Sequence, residues 1–184
     1  MATRKIAVLV GSLRKDSYTR KVAKTLMLLA PPALELDIVE IGRLPLYNQD
    51  DETEHPPASF TEFRGRIKDV DGVLFCTPEY NRSIPAVLKN AIDVGSRPYG
   101  QAVWNGKPAG IVSVSPGAIG GFGANHHLRQ CLVFLDMPIL QQPEAYINGI
   151  ANKVDAEHVT DEATRKFLQT YIDAFAAWVE RNAD

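Results

Sequence analysis

Lys5-Ile6-Ala7-Val8-Leu9-Val10-Gly11-Ser12 is the stretch that decides the fold. After its lysine the run is continuously apolar, as expected of a strand covered on both faces, and Gly11-Ser12 ends it. A helical pattern follows from about Ser17 to Ala30, with Val22, Ala23, Leu26, Leu29 and Ala30 at helical spacing. Pro31-Pro32 stops it. The opening MATRKIAVLV therefore reads as a strand; Gly11 interrupts it and no small-residue cleavage site follows, unlike a secretory signal.

The same alternation continues outward. Leu34 to Ile41 alternates, with Leu34, Leu36, Ile38 and Val39 inward, near a sheet edge. Gly42 to Pro57 is a long connection rich in Pro, Asp and Glu, of the length that tends to be functional or mobile. A helix over Ala58–Lys68 leads into a second buried strand, Gly72 to Thr77. Ser83 is placed to cap the next helix, with Pro85 in its first turn and its end near Gly95. Ala109 to Ser115 reads as a strand, Gly117 to Gly123 as a glycine-dense loop, and Asn125 to Asp136 as a helix. Pro138 to Gln141 reads as a short fifth strand. A closing helix over Asp161–Arg181 carries one stripe of Ala163, Phe167, Tyr171, Ile172, Phe175 and Val179. Strands alternating with helices imply an α/β fold, an open parallel sheet with helices on both faces. With no repeat or boundary, residues 1–184 read as a single domain.

Composition narrows the function. The 184 residues are 45% hydrophobic and 23% charged with formal net charge −2, so neither a nucleic-acid surface nor a polybasic membrane face is advertised. No apolar run approaches the roughly 20 residues of a membrane span. The two cysteines, Cys76 and Cys131, sit in apolar segments with no metal or redox spacing, consistent with a reducing, cytoplasmic setting.

In such sheets ligands bind outside the carboxyl ends of the strands, and three loops there carry unusual residues. Gly11 to Ser17 joins a strand to a helix N-terminus; free N–H groups, the Ser12 and Ser17 hydroxyls and the Arg14 guanidinium together suit a phosphate, although the GxxxxGK[ST] pattern is absent. An ordinary glycine turn with Ser17 as N-cap and Arg14 in solvent accounts for the same residues. Thr77 to Ser83 offers an aromatic ring, amides and a carboxylate to a flat heterocycle, or else a proline turn with a capping serine. Ser113 to Gly123 lets backbone approach a ligand closely, or is a flexible crossover.

Other features carry plainer readings. His126 and His127 are adjacent and point apart on a helix, so they do not form a metal pair. Cys76 reads as packing, Asp50, Asp51, Glu52 and Glu54 as a solvated acidic loop, and Asp93 as a helix-surface brace.

Taken together, GSLRKDS at 11–17, LPLYNQD at 44–50 and TPEYNRSIPAVLKNAID at 77–93 resemble the NADPH-dependent FMN reductase family, nearest to bacterial chromate/quinone reductases. The likeness continues through GKPAGIVSVSPGAIGG, HHLRQCLVFLDMPIL and QQPEAY. The resemblance implies a flavodoxin-like fold with strand order 2-1-3-4-5. It implies FMN as cofactor, NADPH or NADH as donor, and small acceptors: quinones, with chromate or similar oxidised anions beside them. By the same resemblance Ser12, Arg14, Ser17, Tyr18 and Thr19 hold the FMN phosphate; Pro78, Glu79, Tyr80 and Asn81 lie along the isoalloxazine; Ser115, Gly117 and Gly120 close the far side. No side-chain acid or base is implied at the reacting atom, flavin N5, and no metal. Thr19 stands where many relatives have Asn, Ala86 where Gly often follows the proline, and Val94 where Trp is common.

A homodimer or homotetramer is also implied, with Arg82 and Arg97 reaching NADPH or an anionic acceptor from a neighbour. The helix through Leu128, Cys131, Leu132, Val133, Phe134 and Leu135, apolar almost all round, is expected to be deeply buried in that assembly. Two rivals remain. A flavodoxin-type electron carrier is usually far more acidic than −2. A phosphoacceptor receiver domain needs paired carboxylates where Val10-Gly11-Ser12 stands.

Overall fold

The computed structural model describes residues 3–183; Met1, Ala2 and Asp184 of the expected 1–184 unit lie outside the described residues. Five parallel strands form one sheet in the order β2-β1-β3-β4-β5: β1 Arg4–Val10, β2 Leu34–Ile38, β3 Gly72–Thr77, β4 Ala109–Val114 and β5 Ala145–Ile147. The helices are α1 Tyr18–Leu29, α2 Ala58–Lys68, α3 Ala86–Gly95, α4 Phe122–Phe134 and α5 Glu162–Asn182. This is the flavodoxin-like arrangement. No helix among the described residues is long and apolar enough to cross a membrane.

Strand alternation divides the interior into two layers. Ile6, Val8 and Val10 of β1 face one way with Leu74, Cys76, Val112 and Val114, and meet α1 and α5 through Val22, Leu26, Leu168, Ile172 and Phe175. Ala7 and Leu9 face the other way with Val73, Phe75 and Ile111, and meet α2, α3 and α4 through Phe60, Ile67, Leu88, Ile92, Leu128 and Leu132. The register puts Val8 beside Leu74 and Phe75 beside Ile111, so each layer is apolar across neighbouring strands. β2 keeps the expected alternation to Ile38. The chain then changes layers, sending Val39 and Ile41 under α2.

Several boundaries differ from the sequence reading, each for a local reason. The fifth strand is Ala145–Ile147, pairing with Val112 to Val114. The Pro138 to Gln141 segment makes only an isolated bridge between Ile139 and Ala109. Ser83 does not cap α3: Pro85 occupies the N-cap in an extended conformation, and its carbonyl accepts from Leu88 and Lys89. α4 begins three residues early because Gly121, at φ +78°, turns the chain directly into Phe122. On α5 the buried stripe includes Thr164 and Leu168, leaving Ala163 exposed and Phe167 half-buried. Ser17 is the N-cap of α1, accepting from the Arg20 N–H at 3.1 Å.

α4 is not apolar all round in its surroundings. Leu128, Leu132 and Leu135 enter the core, whereas Val133 and Phe134 stand 70% and 84% exposed in the single chain. Between α3 and α4 runs a groove of about 830 Å³ lined by Ser83, Lys89, Arg97, His127, Cys131 and Phe134.

Candidate functional site

The three loops anticipated at the carboxyl edge of the sheet meet there. Gly11 follows β1, donates its N–H to the Cys76 carbonyl at 2.8 Å, and lies so near Pro78 that a Cβ on it would stand 3.2 Å from the proline ring. The β3–α3 loop in turn abuts α4: a Cβ on Gly123 would stand 2.6 Å from the Arg82 carbonyl oxygen. Backbone that close admits only glycine at Gly123.

The β1–α1 loop holds an unspent donor set. Among the described residues, no backbone N–H from Ser12 through Thr19 donates a hydrogen bond of normal geometry. Among the described residues the Ser12 and Thr19 hydroxyls likewise have no hydrogen-bond partner, and both oxygens stay open to solvent although the residues are otherwise buried. Tyr18 packs on the α1–α5 layer while the Arg14 guanidinium lies 5.9 Å over its ring, the arginine itself exposed. Amides and hydroxyls at a helix N-terminus, with an exposed cation beside them, form the donor set that a phosphate group accepts from. The phosphate end of FMN fits it.

In the β3–α3 loop Tyr80 and Asn81 are exposed, and Pro78 is half-buried against Gly11. Glu79 does not present a free carboxylate. Its side chain is 12% exposed, one oxygen accepts from the Ala124 N–H at 3.0 Å, and the other lies 3.3 Å from the Arg82 guanidinium. The acid thus satisfies an N–H in the first turn of α4, where negative charge is favoured.

In the β4–α4 loop the Ser115 hydroxyl accepts from the Gly117 N–H at 3.0 Å, tightening the turn. Gly120 has φ +60°, and a Cβ there would strike the Tyr146 backbone at 2.6 Å. Its carbonyl accepts from the buried Ser113 hydroxyl at 2.8 Å. The residue thus fixes the loop against β5, and its backbone is committed to that contact. Asn125, fully buried, extends this support: its amide oxygen takes the Arg129 Nε–H at 3.0 Å, and Arg129 reaches the Leu140 carbonyl.

Arg97 is not brought to these loops within one chain. It stands beyond the far end of α3, a helix about 15 Å long, with Arg82 before the near end, and its guanidinium bonds Ser96. His126 turns to the Tyr146 hydroxyl and His127 to Ser83 Oγ, each at 3.0 Å, so the two imidazoles do diverge. Burial pushes the Cys76 thiol up to about 12, which keeps it protonated within its layer. Asp93 pairs with Lys89 on the α3 surface, as a brace does.

Two features escaped the sequence reading. Asn90 receives the Tyr47 N–H at 2.8 Å and donates to the Pro45 carbonyl at 2.9 Å, bolting the long loop to α3. An amide inside an otherwise apolar helical stripe was its signal. Glu52 is no solvated acid: it pairs with Arg64 of α2, both side chains nearly buried, and Arg64 also donates to the Val94 carbonyl. The loop so pinned reaches the phosphate-type loop, with Gly42 against Leu13.

Residues 4–152 match the family model described as NADPH-dependent FMN reductase. The chain is 62% identical over 177 residues to a quinone reductase of Pseudomonas putida, covering 96% of this chain and 95% of that protein. It is 50% identical over 176 residues to a 2-hydroxy-1,4-benzoquinone reductase of a Burkholderia species, covering 95% and 96%. Among solved structures, the flavoenzyme NAD(P)H:(acceptor) oxidoreductase FerB from Paracoccus denitrificans superposes with a TM-score of 0.90 at 45% identity, covering 99% of this chain and all of that one.

Proposed function

The chain belongs to the NADPH-dependent FMN reductase family, and on that footing we propose that it passes two electrons from NADPH or NADH through FMN to quinones. When bound, FMN supplies the redox chemistry, accepting a hydride from the nicotinamide and delivering two electrons to the acceptor. The balance is one reduced dinucleotide, one proton and one quinone giving the oxidised dinucleotide and the quinol.

The observation that carries this reading is the run of undonated N–H groups from Ser12 through Thr19 with two unspent hydroxyls. Ser12, Arg14, Ser17, Tyr18 and Thr19 hold the phosphate in this proposal. Pro78, Glu79, Tyr80 and Asn81 border the flat ring, and Ser115, Gly117 and Gly120 close its far side. Glu79 acts by fixing the loop to α4, leaving the ring to its neighbours. Donor and acceptor would enter the same opening in turn; no side-chain acid or base is assigned in this proposal, and the proton that completes the quinol would come from solvent. Chromate and similar oxidised anions are further acceptors under this proposal, since a reduced flavin does not distinguish them by mechanism.

Two copies, or four, assemble in this proposal through the α3–α4 groove, which the exposed Val133 and Phe134 support. A sedimentation profile of a monomer at micromolar concentration refutes that assembly. The cytoplasm is the proposed location, in keeping with two free cysteines.

The test is an anaerobic NADPH titration of the purified protein. A yellow flavin spectrum that bleaches and is restored by a quinone supports the reductase. Yellow protein that NADPH does not bleach is a carrier. Colourless protein that takes up no FMN overturns the assignment of the loops.

A further inference from the structure

The turn after β3 places an arginine where the backbone disfavours one. Tyr80 and Ser83 exchange both backbone hydrogen bonds, at 3.0 and 2.9 Å, which closes a two-residue hairpin over Asn81 and Arg82. Both central residues have positive φ, +51° and +63°. That turn favours Asn followed by Gly, because a side chain at the second position crowds the backbone. Asn81 fits the rule and Arg82 breaks it.

The turn is also immobilised. The Arg82 carbonyl packs against Gly123 of α4, Glu79 holds the Ala124 N–H, and Ser83 Oγ meets His127. None of these contacts uses the Arg82 side chain. Its side chain is 71% exposed and, among the described residues, the guanidinium pairs with Glu79 alone, at 3.3 Å, on an oxygen whose twin already serves α4. Most of its five N–H donors are unspent. A residue held in a sparsely populated conformation, on a rigid mount, with its functional group free, is the pattern of a binding group rather than of a folding one.

Of the partners proposed for this site, the dinucleotide carries phosphate charge in every turnover, whereas a simple quinone carries none and the acceptor is anionic only in the case of chromate and its like. We propose that Arg82 is the anchoring cation for the phosphates of the reduced dinucleotide; the inference rests on the flavin reductase reading above. It sets donor affinity and leaves flavin binding to the β1–α1 loop.

Arg82→Gly tests it, because glycine is at home at positive φ and the fold is kept. The variant is expected to melt slightly higher than wild type and to retain its FMN. Its Kd for NADP+ and its KM for NADPH are expected to rise about tenfold, with the salt dependence of both flattened. Arg82→Lys recovers part of the loss. Equal effects with NADH assign the contact to the shared pyrophosphate; an effect confined to NADPH assigns it to the 2′-phosphate. Values within about twofold of wild type in an FMN-loaded variant overturn the proposal, as does an effect seen only with a sulfonated quinone and not with a neutral one. Loss of FMN from the variant alone overturns it too, by assigning Arg82 to the flavin. Failure of the wild type to take up FMN is a different result and strikes the reductase reading itself.

Discussion

Replacing Glu79 with alanine removes the carboxylate that joins the β3–α3 loop to the first turn of α4. The lost bond runs from the Ala124 N–H to a carboxylate that is 12% exposed. A hydrogen bond to a charged acceptor contributes about 1.5–3 kcal/mol, and a carboxylate at a helix N-terminus about 0.3–1 kcal/mol, the two overlapping here. The Arg82 contact adds little, because the guanidinium is mostly solvated. The expected loss is about 2–3 kcal/mol. In a chain of this length each kcal/mol moves Tm by about 2–4 °C, so Glu79→Ala should melt about 4–12 °C lower. Glu79→Gln keeps an oxygen to receive the N–H and should lose about 1 kcal/mol, or about 2–4 °C. Thermal unfolding followed by circular dichroism at pH 7, with and without FMN, measures both. If the alanine variant melts within about 1 °C of wild type, the carboxylate does not hold α4 and the account of this loop fails.

Further predictions follow from neighbouring contacts. Arg14→Ala removes the cation beside the undonated amides and should raise the FMN Kd about 10- to 150-fold, read by quenching of flavin fluorescence; an unchanged Kd removes Arg14 from the phosphate set. Gly123→Ala drives a methyl group into the Arg82 carbonyl, 2.6 Å away, and should cost about 2 kcal/mol or more in chemical denaturation, whereas a neutral result means the loop has room to move. Asn90→Ala frees Tyr47 and Pro45 and should open residues 42–57 to limited proteolysis, with a loss of about 2–3 kcal/mol; unaltered protease resistance speaks against the bolt. Burial raises both thiols, so a disulfide reagent at pH 8 should label Cys131 slowly and Cys76 only on unfolding. The unfolded Cys76 thiol titrates near 9.0 and the folded one near 12, so its contribution is complete below pH 9.0 and is lost as pH rises toward 12. A native-state burst of two labelled thiols contradicts this.

Much of the fold was legible because covered parallel strands are apolar on both faces. Lys5 to Val10 and Gly72 to Thr77 needed only that rule and their glycine boundaries. β5 was missed because Ala145–Ile147 is three residues long, while Ile139 and Leu140 nearby have more strand character yet gain only one bridge. Ser83 had the right residue type for a cap, but its hydroxyl goes to His127 and the proline turn displaces the helix start. The strand-end rule located the three loops, the motif resemblance assigned their roles, and the sheet brings them together. It did not reveal which groups are already engaged. The Glu79 carboxylate and the Glu52–Arg64 pair depend on partners distant in sequence, which no local pattern encodes.

The contacts of Gly11 with Pro78 and of Gly123 with Arg82 bear on how such a reductase can change its substrates. The loops lean on one another through main chain, so lengthening any one of them would dislodge the next, and the rim cannot be remodelled piece by piece. Variation is cheapest in side chains that project from this locked frame, among them Leu13, Leu46, Tyr80 and Arg82, all exposed. A mutant library confined to those four positions should yield folded proteins with shifted donor or acceptor preference far more often than one built on loop insertions.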